Sequence, residues 1–229
     1  MEFRKLYADE IDCRIATISE KGLALLLYKD ARVDQRILDE TVGAENWQRN
    51  HELINGNLFC NVGIYVERGE WVWKQDVGTE SYTEKEKGQA SDAFKRACFN
   101  WGIGRELYSA PFIYVGKSEC NIELRKDKYI CYDKFVVEEI EYDAKGNISL
   151  LSIVNNKTGK RVFYMDDKQT KKDEKISKAY LNTIKALCKK KGVDESSICE
   201  RYKIDTLDDM VNMQFDKAMA ILNAMPDKD

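Results

Sequence analysis

The stretch S-D-A-F-K-R-A-C-F-N-W-G-I-G-R-E-L-Y, residues 91–108, decides the fold. Ala90, Ala93, Phe94, Ala97, Cys98 and Trp101 recur at i, i+3, i+4 and i+7, the spacing of one buried helix face. The helix is predicted over 84–101, with Gly102-Ile103 as a Schellman-type stop and R-E-L-Y as a further turn. At about 100° per residue the opposite face collects Lys85, Gly88, Gln89, Asp92, Lys95, Arg96 and Phe99. Phe99 is the anomaly: it lies one turn beyond Lys95 and Arg96, on the charged side. Two readings stay open for it. It stacks on a base, or it packs against another element or a second protomer. For the two cations the plain alternative is solvation.

Working outward, the helix follows a stretch whose apolar period is two. W-Q-R-N-H-E-L-I, N-L-F-C-N-V-G-I-Y-V-E and E-W-V-W-K-Q-D-V-G read as three strands. Asn55-Gly56 is a strong hairpin signal between the first two, and Arg68-Gly69 a weaker one. Leu58, Cys60, Val62, Ile64 and Val66 fall on one face of the middle strand. In the third, Trp71, Trp73 and Val77 oppose Val72, Lys74 and Asp76. The expected fold class is therefore α+β: an antiparallel meander packed on a long central helix, a β-β-β-α core. Before it, D-E-I-D-C-R-I-A-T-I-S is predicted as a short amphipathic helix and L-A-L-L-L-Y as a buried strand. A helix is expected from the Asp30 N-cap to Gly43, with Val33, Ile37, Leu38 and Val42 inward. After Pro111 come extra strands and hairpins. Residues 168–175 are a charge run read as a linker, and 176–229 read as a three-helix module. The domain division is thus 1–167, a linker at 168–175, and 176–229.

At 229 residues the chain is 43% hydrophobic and 34% charged, a globular composition, with a formal net charge of −3. That argues against a polybasic coat for nucleic acid, but leaves room for a local basic groove. Its seven cysteines are scattered, with no C-x-x-C, and the first ten residues are charged throughout. Reduced thiols and a cytoplasmic location are expected, with no membrane association. No apolar run reaches the roughly 20 residues of a membrane span.

Catalytic patterns are sparse. The one histidine, His51, falls in a predicted strand, which leaves zinc sites and histidine-based triads without a partner. Gly116-Lys117-Ser118 has the end of a phosphate loop, but Pro111 stands where its first glycine belongs and lacks the needed amide. Asp133, Glu139 and Glu141 suggest a divalent-metal nuclease only weakly, because no compact Asp…Glu-x-Lys follows a hairpin. The expectation is a non-enzyme without cofactor or metal. Cations interleaved with an aromatic suit a single-stranded nucleic acid groove instead. Arg32 and Arg36, one turn apart on the early helix, and Lys74 on the third strand are candidates to line it with the central helix.

At W-x-x-D-V-G-T-E-S followed by S-D-A-F-K-R-A-C-F-N-W-G-I-G-R-E-L-Y, the chain resembles the Rad fifty-two/Rad twenty-two superfamily of single-strand annealing proteins, including bacteriophage Sak-type members. The order of elements agrees over about residues 8–115. The resemblance implies an ATP-independent protein that binds single-stranded DNA and anneals complementary strands in recombination and repair, as a multimeric ring with DNA in a basic groove. It implies Lys95 and Arg96 as backbone ligands and Arg32 as a further one; Arg36, Lys74, Phe99 and Arg105 stand beside them as weaker candidates read from the residues themselves. The family's third basic residue in this helix is replaced here by Phe99. The tail resembles helical modules of phage recombination proteins. Such a module would recruit a single-strand-binding protein or an exonuclease. The competing expectation is an oligomeric adaptor of phage or bacterial replication acting through that tail.

Overall fold

The computed structural model describes residues 1–80 and 84–227; Ser81 of the motif and the last two residues lie outside the described residues. The fold is α+β, with antiparallel sheets and, among the described residues, six α-helices. Two compact units divide at residue 165. None of the helices is long and apolar enough to cross a membrane.

The first unit opens with a correction. D-E-I-D-C-R-I-A-T-I-S is not an amphipathic helix. A single 3-10 turn (Ala8–Glu10) leads into strand β1 (Asp12–Ile18), paired with β2 (Gly22–Tyr28). The register shifts between Ile15 and Thr17, so a bulge falls at Ala16. It moves the half-buried positions to Cys13, Ile15 and Ile18 and hides the strand period. β-Branched Ile15, Thr17 and Ile18 favour the strand. β2 buries Leu23, Leu25 and Leu27, while Leu26 and Tyr28 face outward.

Helix α1 (Ala31–Val42) starts where the Asp30 carboxylate accepts the Arg32 N–H at 2.8 Å. It ends at Gly43, whose φ of 87° suits glycine. It buries Val33, Ile37 and Leu38. The meander follows: β3 (Trp47–Ile54), β4 (Asn57–Val66) and β5 (Glu70–Val77), in that spatial order. The turn residues Asn55 and Gly56 both take positive φ, as a tight hairpin requires.

Helix α2 (Lys85–Trp101) contacts β4 and β5. Ala93, Phe94, Ala97 and Cys98 are fully buried on it. Trp101 Nε1 donates to the Val62 carbonyl at 3.0 Å, and His51 Nε2 donates to the Ala90 carbonyl at 3.1 Å. Gly102, left-handed, and Ile103 close the helix through the carbonyls of Phe99 and Cys98.

Gly78 of the D-V-G-T-E motif makes the helix approach possible. A Cβ there would lie 2.1 Å from the Gln89 carbonyl oxygen and 2.7 Å from the Ala93 nitrogen. The neighbouring Thr79 N–H donates to Asp92, and the Gln89 side-chain amide donates to the Gly78 carbonyl. Because the obstacle is helix backbone, Gly78→Ala is expected to destabilise the unit by about 3 kcal/mol, the upper end for overpacking. All four tryptophans lie in residues 1–165, so urea unfolding followed by tryptophan fluorescence reads this unit alone.

Beyond a 3-10 turn (Arg105–Ser109) come β6 (Ile113–Gly116), a hairpin of β7 (Ile122–Arg125) with β8 (Lys128–Cys131), and then β9 (Phe135–Tyr142), β10 (Ile148–Asn155) and β11 (Arg161–Asp166). The main sheet runs β11-β10-β9-β1-β2-β6. Its core residues, among them Leu25, Ile113 and Leu151, join Ile37, Ile64 and Phe94 in one cluster.

The second unit has its own core around Ile184, Met210 and Leu222. It holds α4 (Lys178–Lys191), α5 (Glu195–Tyr202) and α6 (Asn212–Ala224). The charge run at 168–175, expected as a linker, is largely helical: α3 (Asp167–Asp173) starts on the Asp166 carboxylate and contacts α6. Its capping acceptor supplies what its apolar content does not.

Candidate nucleic-acid interface

Lys95, Arg96 and Phe99 line one groove of about 440 Å³. Its walls are the charged face of α2, the end of β2 from Leu25 to Tyr28 with the following Lys29, and the segment from Ile103 to Ile113. The sequence predicted the α2 side; Ile103, Gly104, Leu107 and Tyr108 end the same stretch without having been read as a wall, and the β2 wall comes from distant positions that carry no motif.

Lys95 is half-buried and, among the described residues, makes no hydrogen bond or ion pair. Its field lowers the Asp30 and Asp34 carboxyls, as the weaker of several influences. Arg96 is aimed rather than neutralised. Its Nε and Nη2 both reach Asp76 Oδ1 at 3.2 Å, and its side chain stays 45% exposed. Asp76 is itself held by the Val77 N–H at 2.7 Å. A guanidinium has five donors, so most of the Arg96 fork remains for a ligand.

Phe99 is partly covered by its own chain. Its ring meets Tyr108 at 4.6 Å between centroids, tilted by 55°. Arg105 donates to the Phe99 and Asn100 carbonyls at 2.8 and 2.9 Å and sits 5.5 Å from the Phe99 ring centre. Lys74 also donates to the Asn100 carbonyl, at 2.9 Å, with its ammonium 4.4 Å over Trp101. Both cations thus satisfy the open carbonyls at the C-terminus of α2, where the helix dipole favours positive charge. Neither lines the groove.

The α1 arginines are likewise outside the groove lining. Arg32, its side chain 83% exposed, reaches back to Asp30 at 2.8 Å. Arg36 lies 3.4 Å from Glu10, which Arg4 also holds at 2.7 Å. The exposed aromatics Tyr108, Phe112 and Tyr114 beside or near the groove were missed by sequence reasoning. Period-two alternation outward from Ile113 and Val115 was the signal for two of them.

Beneath the groove Lys29 pairs with Asp34, both buried. Burial pushes the Asp34 carboxyl up to about 6 against the pull of Lys29. Its second oxygen, Oδ2, has no partner. A carboxyl raised on folding favours the folded state below its unfolded pKa, near 4, and loses that contribution as pH rises through about 6. The stability difference between wild type and Asp34→Asn is expected to fall across pH 4–6, by at most about 1.4 kcal/mol per unit. It should be flat above that window. Urea midpoints at half-unit pH steps check it.

Other chemistry is thin here. Asp133 is occupied by the Asn121 N–H and the Asn155 amide, at 2.8 and 3.0 Å. The Cys98 thiol is pushed well up by burial, away from nucleophilic use. Among the described residues no three His, Cys, Asp or Glu side chains gather to hold a metal.

The model of Rad52/22 family double-strand break repair proteins matches residues 4–121, just over half of the chain. The chain belongs to this family. The matched region contains β1 through β6, and with them the whole groove. Among curated proteins, the Single-stranded DNA-binding protein DdrA of Deinococcus radiodurans is 37% identical over 97 residues. That alignment covers 41% of this chain and 45% of DdrA, so the chain spans less than half of this relative. A Rad52/22 assignment and a basic, aromatic groove on the family's own segment point the same way.

Proposed function

We propose that this protein binds single-stranded DNA along the Lys95–Arg96 face of α2 and anneals complementary strands without ATP, as a multimeric ring. The observation that carries the reading is the pairing of an uncommitted Lys95 with an aimed, half-exposed Arg96 on one groove wall. The similarity to DdrA, a single-stranded DNA-binding protein, supports the substrate. Annealing needs no bond chemistry. Cations that hold phosphates position a strand without reading its sequence. A ring repeats a weak site along the strand, so few charges per protomer suffice despite the net charge of −3. In this reading Arg32 and Arg36 extend the cationic path at the α1 surface, Arg32 exchanging an exposed Asp30 contact and Arg36 a long 3.4 Å contact to Glu10 for phosphate. Lys74 and Arg105 support the helix end.

The second unit, with a core of its own, favours one addition: residues 176–229 recruit a protein partner to the annealing domain at 1–167. The test is annealing of two complementary dye-labelled oligonucleotides without ATP, with particle mass recorded on the same samples. Acceleration by a large oligomer supports the reading. A well-assembled protein that gives no acceleration overturns it in favour of an adaptor.

A further inference from the structure

The groove beside Lys95 and Arg96 is the wrong shape for phosphate alone. Its floor is apolar: Leu25, Leu27, Ile103, Leu107 and Pro111 contribute to it. An anion seated there would lose its hydration without a partner. At about 440 Å³ the space falls within the usual range of small-molecule sites. At its mouth stands Tyr108, 75% exposed, with one side of the ring against Phe99. The turn that carries it is fixed. Ser109 Oγ donates to the Glu106 carbonyl and accepts the Ile148 N–H, at 2.6 and 2.9 Å. Glu106 is buried and accepts the Leu6 N–H at 2.8 Å. Tyr108 is therefore an aromatic plate held out to solvent by a rigid support.

Polar groups also converge on the space. β6 pairs with β2 only from Gly22 to Leu25. The Lys21 carbonyl accepts from Lys117 on the β6 side, so the pleat turns the peptide groups of Leu23, Leu25 and Leu27 to that side. Those of Leu27 lie beyond the last pair and face the groove with a donor and an acceptor. Asp92 lines the same space.

We infer that this groove takes an unpaired nucleobase, stacked on Tyr108, with the flanking phosphates on the Lys95–Arg96 rim. A base has an apolar face for the floor and polar edges for Leu27 and Asp92. This assigns Phe99 a purpose on its charged helix face: it seats Tyr108. The inference rests on single-strand binding at this groove and adds the base to it. While seated, that base is withdrawn from pairing, so each protomer would hold part of the strand closed and part open.

The experiment measures binding of full-length protein to oligo-dT and to an abasic oligomer of equal length and charge. Wild type, Tyr108→Ala and Tyr108→Phe are compared by fluorescence anisotropy, with particle mass alongside. Wild type should prefer oligo-dT by about tenfold or more, the scale of one stacked base. Tyr108→Ala should lose that preference with abasic binding unchanged, and Tyr108→Phe should keep it. Equal wild-type affinity for both oligomers overturns the base site while leaving single-strand binding standing. An equal loss on both oligomers in Tyr108→Ala, or a fall in its particle mass, also overturns it, the latter by making Tyr108 a subunit contact. Failure of wild type to bind either oligomer overturns both readings.

Discussion

Replacing Lys95 and Arg96 together with alanine is expected to weaken single-stranded DNA binding by about tenfold or more at low salt, and to flatten its salt dependence. Each phosphate contact contributes roughly 0.7 to the slope of log K against log salt for single strands, so the pair contributes about 1.4 per protomer engaged. The fold should tolerate the change. Alanine is the best helix former, and both side chains point away from the buried face of Ala93, Phe94, Ala97 and Cys98. Annealing should fall with binding while particle mass holds. Single changes at Arg32 and Arg36 should cost less, since neither cation lines the groove. A double variant with an unchanged slope would refute the groove as the DNA path. Lys74 and Arg105 are poor probes of the same idea, because their removal uncaps α2.

The largest stability effect is expected at Phe94. The ring is fully buried in the core of the first unit. Trp47 stacks near it at 6.1 Å, and the Arg49 guanidinium lies 4.5 Å from its centre. Phe94→Ala removes the ring from between α2 and the meander and leaves a cavity that rigid neighbours cannot close. Such changes cost about 3–5 kcal/mol, a large share of the roughly 5–15 kcal/mol that holds a domain together. For a unit of this size the melting temperature should drop by about 10 °C. Phe94→Leu should recover most of it. Trp71→Ala, on the outward face of the meander, should cost far less although it deletes a larger ring. Tryptophan fluorescence during heating reports Phe94 and its variants; the Trp71 variant needs far-ultraviolet circular dichroism, since it removes one of the reporters.

Legibility in the sequence followed the regularity of each element. α1 and α2 were readable because their inward apolar positions repeat at helical spacing and a glycine closes each; α1 also starts on the Asp30 cap. The meander was readable because Leu58 to Val66 alternate without interruption and Asn55-Gly56 marks the turn. β1 was misread because one bulge at Ala16 breaks the alternation into a spacing that mimics a helix. β7 was missed because four residues, with the apolar Leu124 exposed beside Arg125, leave almost no pattern. α3 was hidden in a charge run, since its start depends on the Asp166 cap rather than on an apolar face. At the candidate site, Lys95, Arg96 and Phe99 were visible as neighbours on one helix. Tyr108 and the β2 edge were not, because their approach is set by how β6 and the preceding turn return across β2.

The strand order of the main sheet bears on how the chain reaches this state. Between Trp47 and Trp101 each element pairs with its neighbour in sequence, through short turns. Asp12, in contrast, must wait for Val136 before β1 gains its second partner. Short closures cost less entropy and form faster than long ones. The meander and the helix bearing Lys95 and Arg96 can therefore assemble early, while β1 keeps a raw edge until the last hairpin arrives. That interval is when the chain is most open to joining a neighbouring copy through the wrong strand.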